Sequence, residues 1–306
     1  MRNKFAKVFY ELGKKDPRLA IVVADISPAG SIAQFREEFP ERFINTGVSE
    51  QSMIGIAAGM ALRGMRPFAY TIATFALYRP FEFVRDDIAY QNLPVTVVGV
   101  GGGVTYSTLG GTHHAMEDIA VASAIPGMQV LVPCDPMETQ QITEWCALKN
   151  EKPTYLRLGK AGEPDLTTQA IDPFIPGKIR RICQGKDVCI ISYGPTVKMA
   201  LDLAQHIKKT HQWSSTVVSC HSIKPLDVDG TRELLHQHRR VIVIEEHVPH
   251  GGLGSRIKEI AWDMRANCEL TCYALQDKFI HHYGSHEQLL DAHGLNMAKI
   301  HEGVFA

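Results

Sequence analysis

Short apolar runs alternate with longer amphipathic stretches along this chain of 306 residues. Runs such as 19–24 and 93–100 are rich in β-branched residues and do not alternate with polar ones, which is typical of parallel strands buried on both faces. The stretches 4–14 and 136–148 instead space their apolar residues three and four positions apart, which predicts helices. The alternation of strands and helices predicts an α/β fold, with mostly parallel sheets flanked by helices.

This alternation occurs twice, which predicts two domains. Residues 1–163 form the first, with predicted strands at 19–24, 42–46, 67–72, 93–100, 129–132 and 154–158. Between 164 and 185 several prolines and polar residues interrupt the pattern, and we expect a linker there. Residues 186–306 repeat the alternation in a smaller second α/β domain, with predicted strands at 188–192, 215–220, 241–245 and 270–274.

One predicted helix has an unusual composition. The segment 43–62, FINTGVSEQSMIGIAAGMAL, contains a single acid, Glu50, at the start of a helix that has no other charged residue before Arg63. Burial of an unpaired carboxylate is costly. An acid in this position is therefore either a functional group or a residue whose charge stabilises the helix N-terminus. Composition alone leaves both interpretations open.

The charge balance argues against nucleic acid and membrane partners. Lysine and arginine total 32 against 33 aspartates and glutamates, and the sequence has no polybasic run that would attract either partner. The seven cysteines form no CxxC pair, which favours reduced thiols, and the charged N-terminus lacks the features of a signal peptide. We expect a cytoplasmic protein without membrane spans.

Two pairs of adjacent histidines are candidate metal ligands. They are His113-His114 and His281-His282. Neither pair has partnering ligands at the spacing that a zinc site requires. We therefore expect this chain to hold no metal by itself.

Several motifs together resemble the pyrimidine-binding domain of transketolase-like thiamine diphosphate enzymes. They are the strand–Glu–helix segment at 45–62, Thr74-Phe75, and Gly110-Gly111-Thr112-His113. The second domain, with 241–247 followed by Gly251-Gly252-Leu253-Gly254, is similar to the C-terminal domain of the same superfamily. The resemblance covers essentially the whole chain in the order of the family, which is stronger evidence than any single motif.

This resemblance implies a cofactor site. In such enzymes an acid in the position of Glu50 bonds a ring nitrogen of the cofactor's aminopyrimidine and helps the cofactor to lose the proton of its thiazolium ring. Phe75, Tyr78 and Phe81 match aromatic residues around the aminopyrimidine, although helix-spaced aromatics are also typical of ordinary core. Asp25 matches an acid near the cofactor, or else caps a helix.

The resemblance also implies substrate contacts. His113 would face the substrate carbonyl and stabilise its developing charge or move its proton. Arg2 and Lys160 match basic contacts to a substrate phosphate, whereas Ala29 and Gly101 stand where relatives have a hydroxyl and a histidine. Because this set is incomplete, phosphorylated, sulfonated and uncharged sugars all remain open as substrates.

No Gly-Asp-Gly motif occurs in the sequence, although transketolase-type sites use one to hold magnesium and the diphosphate. The resemblance therefore implies a split enzyme, in which a separate N-terminal-half subunit supplies the diphosphate and the Mg²⁺ or Ca²⁺ site. Two copies of each chain would form an α2β2 assembly. Gly55 and Gly59, four residues apart on one helix, would allow a two-fold contact between copies, or close packing on the chain's own sheet.

The predicted reaction is the transfer of a two-carbon ketol unit from a ketose to an aldose. Leu109 weakens this prediction, because transketolases carry there an acid that reads a substrate hydroxyl. Decarboxylating relatives are the alternative enzymes: a 1-deoxyxylulose-5-phosphate synthase or the beta subunit of a 2-oxoacid dehydrogenase. A non-catalytic scaffold is the alternative of another class, and the presence of both Glu50 and His113 argues against it.

Overall fold

The computed structural model describes residues 1–26, 30–160 and 162–304. Its helices are α1 (Arg2–Gly13), α2 (Ser31–Glu38), α3 (Glu50–Leu62), α4 (Ala73–Leu77), α5 (Phe81–Phe83), α6 (Asp118–Ala124), α7 (Pro136–Leu148), α8 (Val197–His211), α9 (Val228–Gln237), α10 (Leu253–Asp263), α11 (His286–Ala292) and α12 (Met297–Val304). Its strands are β1 (Leu19–Val23), β2 (Phe43–Asn45), β3 (Arg66–Ile72), β4 (Thr96–Val100), β5 (Gln129–Leu131), β6 (Thr154–Leu158), β7 (Arg180–Cys183), β8 (Val188–Ser192), β9 (Ser215–Ser219), β10 (Ser222–Lys224), β11 (Arg240–Ile244) and β12 (Glu269–Tyr273).

Seven strands form the first sheet, in the order β10-β5-β6-β4-β3-β1-β2. Six of them are parallel, and β10, from the second half of the chain, pairs antiparallel with β5 at the edge. Along β1, Val22 packs into one core cluster while Ile21 and Val23 pack into another on the opposite face. Burial on both faces explains why the sequence of β1 is a continuous apolar run.

The second sheet has five strands, in the order β12-β11-β8-β9-β7. All are parallel except β7, which runs antiparallel to β9. The segment predicted as a linker, 164–185, contains β7, so the second sheet begins within that segment. The predicted fold class, two mostly parallel sheets flanked by helices, is confirmed.

Three elements have no counterpart in the predicted pattern: β7, β10 and α12. Both strands are three or four residues long and pair at sheet edges, where distant sequence supplies the partner and local periodicity carries little signal. The stretch after α5 also differs from an ordinary helix, because residues Val84–Tyr90 form a π-helix.

The two domains share one core. A single cluster of buried apolar side chains includes Ile119 and Met128 from the first domain together with Tyr193 and Val218 from the second. The edge strand β10 crosses the same boundary. A contact this apolar favours one fixed arrangement of the two domains over relative motion.

Among the described residues, no helix has both the length and the apolar character required to cross a bilayer.

Four of the candidate functional residues follow the carboxyl ends of strands, at one edge of the first sheet. Parallel strands β1, β3, β4 and β6 all end at this edge, and the segments that follow them carry Asp25, Phe75, His113 and Lys160. Ligands of open α/β sheets bind at the carboxyl ends of the strands. The fold therefore brings together residues that lie far apart in sequence.

Replacement of Asp135 should destabilise the fold. Its buried carboxylate accepts hydrogen bonds from the Glu138 amide at 2.7 Å, at the start of α7, and from the Leu166 and Thr167 amides at 2.8 and 2.7 Å. Asp135→Ala leaves these donors without a partner, which should lower the free energy of unfolding by about 3 kcal/mol. Urea unfolding measures the change. Asp202→Ala, which removes an exposed ion pair with Lys198, is the control and should change stability by less than about 0.5 kcal/mol. Equal urea unfolding midpoints for Asp135→Ala and Asp202→Ala would contradict a stabilising role of the Asp135 carboxylate.

Candidate active site

Glu50 is the first residue of α3 and is 3% exposed. Arg79 donates a hydrogen bond to its Oε1 at 2.8 Å, so the expectation of an unpaired carboxylate is wrong for this oxygen. Sequence reasoning missed Arg79 because it lies 29 positions from Glu50 and is brought close by the fold. The second oxygen, Oε2, is buried and has no hydrogen-bond partner among the described residues. A buried acceptor without a partner is rare and is suited to a ligand that donates a hydrogen bond.

The ring of Phe75 contacts both Arg79, which is hydrogen-bonded to Glu50, and His113, the predicted catalytic histidine. The guanidinium of Arg79 lies over the Phe75 ring at 4.5 Å. On the same ring the imidazole of His113 packs edge-on, with ring centroids 5.1 Å apart. The structure therefore brings Glu50, Phe75 and His113 into one connected group, through Arg79. A spacing of four residues between Phe75 and Arg79 on a helical stretch was the one sequence signal for this contact.

His113 lies on a loop of residues 101–115, which follows β4 and which we call the histidine loop. The residue is half-buried, and Thr112 Oγ1 lies 3.0 Å from its Nδ1. Burial lowers the pKa of His113 below its ordinary value, because desolvation penalises the imidazolium. The side chain is therefore mostly neutral near pH 7 and can either accept or donate a proton.

Tyr106 is a candidate site residue that sequence reasoning missed. Its ring lies 6.4 Å from that of His113, and the ammonium of Lys160 lies 5.3 Å from its ring centroid. Gly101 has a φ of 75°, and a Cβ there would lie 2.2 Å from Tyr106 Cε2. The tyrosine ring therefore takes the space that a side chain at position 101 would fill.

The predicted phosphate contacts, Arg2 and Lys160, both lie near Tyr106. Burial raises the pKa of the Tyr106 phenol, and the charge and hydrogen bond of the nearby Arg2 guanidinium oppose that shift. In the parts of the chain that the structure describes, neither Arg2 nor Lys160 forms an ion pair. Two cations without carboxylate partners would attract an anionic group. Ala29, the other departure from the family pattern, lies outside the described residues.

The other predicted cofactor and substrate contacts are Asp25, Tyr78, Phe81 and Leu109. Asp25 follows β1 with a φ of 44°, a conformation unusual for a non-glycine residue, and its amide donates to the Asn45 side chain at 3.2 Å. Tyr78 and Phe81 pack against the shared core. Leu109 is 45% exposed on the histidine loop. Contacts of these residues with cofactor or substrate stay predictions.

Within residues 1–26, 30–160 and 162–304, no group of three or more histidine, cysteine or acidic side chains is arranged to hold a metal ion.

Comparisons with known proteins decide the family. The model described as "Transketolase, pyrimidine binding domain" matches residues 1–162, and that described as "Transketolase, C-terminal domain" matches residues 177–300. The chain belongs to the transketolase family. The predicted resemblance to the C-terminal half of transketolase is thereby confirmed.

Relatives of similar length carry names of partial or split transketolases. One subunit of the apulose-4-phosphate transketolase of Phocaeicola vulgatus is 32% identical, over 94% of this chain and 90% of the relative. The putative transketolase C-terminal section of Methanocaldococcus jannaschii is 35% identical, over 97% of this chain and 92% of the relative. The 1-deoxy-D-xylulose-5-phosphate synthase of Clostridium perfringens is 30% identical over 96% of this chain, but the match spans only 47% of that enzyme.

Solved structures give the same assignment. A structure described as "Split gene transketolase, inactive beta4 tetramer" superposes with a TM-score of 0.86 at 33% identity, and covers 99% of this chain and 96% of its own. The transketolase of Campylobacter jejuni superposes with a TM-score of 0.81 at 17% identity, over 46% of that chain, and supports the transketolase fold.

In this transketolase-family chain, removal of the Phe75 ring should raise the pKa of His113. The ring shields His113 from water, and burial is what lowers the pKa of His113. In Phe75→Ala, an NMR titration of the His113 ring proton should give a higher pKa, closer to the ordinary value of about 6.5. The signal is assigned from its loss in His113→Asn.

Phe174→Ala is the matched control for this titration. Its ring lies 4.7 Å from that of another histidine, His221, so the variant removes the same group without touching His113. The pKa of His113 should be the same in Phe174→Ala as in the unmodified chain. A pKa that stays unchanged or falls in Phe75→Ala would refute the role of the ring.

Proposed function

We propose that this chain is the pyrimidine-binding subunit of a split, thiamine diphosphate-dependent transketolase, a transferase of carbohydrate metabolism that moves a two-carbon ketol unit from a ketose to an aldose. The observation that carries this proposal is the buried Oε2 of Glu50, which has no hydrogen-bond partner within residues 1–26, 30–160 and 162–304 and lies in one group with Phe75 and His113. The names of relatives that match along nearly their whole length support the split organisation.

The donor set of the site fits the aminopyrimidine end of thiamine diphosphate. Oε2 of Glu50 offers a buried acceptor for a ring nitrogen that carries a proton. The half-buried aromatic ring of Phe75 beside it suits a flat heterocycle, and Tyr78, Phe81 and Asp25 complete the proposed cofactor set. When bound, thiamine diphosphate supplies the nucleophilic carbon of the reaction.

We assign roles to three side chains of this chain: two exchange protons, and the third orients one of these two. Oε2 of Glu50 would accept the hydrogen bond of the protonated ring nitrogen and exchange that proton with it, while Arg79 fixes the carboxylate by its hydrogen bond to Oε1. His113 is mostly neutral near pH 7, because burial lowers its pKa. It can therefore donate to the substrate carbonyl oxygen and accept the proton of a substrate hydroxyl.

The cations beside Tyr106 are the proposed site for an anionic end of the sugar. Arg2 and Lys160 have no carboxylate partner in the described ranges. Arginine and lysine form strong charge-assisted hydrogen bonds to phosphate, so a sugar phosphate fits these cations. Leu109, exposed on the histidine loop, would present an apolar surface where relatives read a hydroxyl.

A partner subunit is proposed to hold the diphosphate and its Mg²⁺ or Ca²⁺, in an α2β2 heterotetramer. Exposed apolar residues on α3 and just before it support an interface between this chain and another. Ile56 and Leu62 on α3 are 37% and 61% exposed, and Val48 just before it is 71% exposed. In the described part of the chain, apart from its two neighbours and the backbone of α3, no atom lies within 4 Å of a Cβ built at Gly59. An interface with another chain would cover these apolar side chains. All seven cysteines are unpaired, which agrees with a cytoplasmic assembly.

The second candidate function is a decarboxylating reaction. The identity with 1-deoxy-D-xylulose-5-phosphate synthases extends over 96% of this chain, and Leu109 removes the acid that favours a hydroxylated donor. With the partner subunit, cofactor and magnesium present, ketol transfer and pyruvate decarboxylation are measured side by side. Ketol transfer as the faster reaction supports the first function, and pyruvate decarboxylation as the faster reaction replaces it by the second.

Glu50→Gln should abolish most of the activity of the reconstituted enzyme. The amide keeps the shape of the side chain but cannot hold the proton, so kcat for ketol transfer should fall at least about 100-fold. Glu82→Gln, a change of the same type on the exposed side of α5, is the control and should retain full activity. Full turnover by Glu50→Gln would refute the role of this acid.

The isolated chain should not bind thiamine diphosphate tightly. The described residues contain no metal cluster for the diphosphate, so most of the affinity must come from the partner. Isothermal titration calorimetry with cofactor and magnesium should show no tight binding by this chain alone, and tight binding once the partner is added. Tight binding by the chain alone would exclude the split organisation.

A further inference from the structure

The histidine loop is closed at its base. Gly103 and Ala115 exchange two backbone hydrogen bonds, each of 2.8 Å, and form an isolated bridge. The span between these two residues would be free to move as a unit unless its base were anchored elsewhere. The position of His113 therefore depends on what holds this bridge.

Glu246, which follows β11 in the second domain, holds one side of the bridge. It is 2% exposed, and its Oε1 accepts the Val104 amide at 2.7 Å. At Gly103, where φ is 65°, a Cβ would lie 2.2 Å from the same oxygen. Glycine at this position lets the carboxylate reach the loop backbone.

Arg157, near the carboxyl end of β6, holds the Ala115 side of the bridge. Its Nη2 donates to the Ala115 carbonyl at 3.2 Å and to the backbone carbonyl of Glu246 at 3.0 Å. The loop base and the second domain thus share one buried guanidinium, which is 3% exposed. The bond to Glu246 crosses the domain boundary.

His286, the first residue of α11, completes the anchor. Its Nε2 lies 2.9 Å from Glu246 Oε1. The carboxylate raises the pKa of His286 despite partial burial, and although burial alone would raise the pKa of Glu246, the charge of His286 lowers it. Both directions agree with an ion pair, which keeps the acceptor of the Val104 amide charged.

We infer that Glu246 is a positioning residue for catalysis: from the C-terminal domain it fixes the base of the histidine loop and so keeps His113 against Phe75. The substrate and the cofactor need not touch Glu246. The C-terminal domain thereby acquires a specific task in the reaction, namely to hold the proton-transfer group of the other domain in place.

The test removes the carboxylate and follows His113. In Glu246→Ala the loop base loses its acceptor, so His113 should spend more time in water, and its pKa in the isolated chain should rise toward about 6.5. In the reconstituted enzyme kcat should fall about 10- to 100-fold, as expected for a misplaced catalytic group, with KM nearly unchanged. Glu246→Gln retains an oxygen acceptor for the Val104 amide and should restore most of both properties.

Glu245→Ala is the matched control, because Glu245 is equally buried and lies next to Glu246 in sequence. Its carboxylate accepts the amides of Leu253 and Gly254 at 2.8 and 2.9 Å, at the start of α10. This variant should lower the unfolding midpoint but leave the pKa of His113 unchanged. An equal change of that pKa in Glu245→Ala and Glu246→Ala would overturn the inference, as would no change in Glu246→Ala.

If Glu246→Ala fails to fold, His286→Leu serves instead. It removes the ion pair and leaves the Val104 contact, so the pKa of His113 should rise by a smaller amount, and an unchanged value would overturn the inference. The kcat measurement rests on the proposed function, but the titration does not. The expected titration together with an absence of ketol transfer would support the anchoring role and contradict only the proposed function.

Discussion

The buried ion pair of Arg157 and Asp118 is the interaction on which the arrangement of this protein depends. The Nε of Arg157 donates to Asp118 Oδ2 at 2.8 Å, the Tyr155 hydroxyl donates to the same oxygen at 2.7 Å, and both charged side chains are almost fully buried. Loss of one member of such a pair leaves an uncompensated charge in the interior, at a cost of about 3–5 kcal/mol. Asp118 is the first residue of α6, and Nη2 of Arg157 bonds both the base of the histidine loop and the backbone of Glu246 in the second domain. The pair therefore links α6, the histidine loop and the second domain.

Much of the fold could be predicted from the sequence, because central parallel strands are covered on both faces. The strand β1 is an uninterrupted apolar run, and β4 carries only one polar side chain, that of Thr96. Short edge strands give no such signal, since their pairing is decided by residues far away in the chain. For β10 the partner, β5, lies about ninety positions earlier.

In the candidate site, too, some residues could be predicted from the sequence and others only from the structure. Glu50, Phe75 and His113 could be proposed from motifs, and the common edge of the sheet explains why the structure brings them together. Arg79 and Tyr106 could not, because their importance arises only from tertiary contacts: one pairs with Glu50 and the other fills the space above Gly101. Neither residue type at those positions is unusual in a helical stretch or in a loop. The sequence also could not reveal which oxygen of Glu50 is paired: Oε1 accepts from Arg79, whereas Oε2 has no hydrogen-bond partner in the part of the chain that the structure describes.

The strand β10 has a consequence for how the two domains can be separated. It belongs to the second half of the chain but forms the outer edge of the first sheet, next to β5. A first domain produced without the second, ending within 164–185, would leave β5 as an unprotected edge that could add a strand from a neighbouring molecule. Recombination between genes could therefore exchange this pair of domains as one unit, but could not shuffle the first domain alone without creating a surface that aggregates.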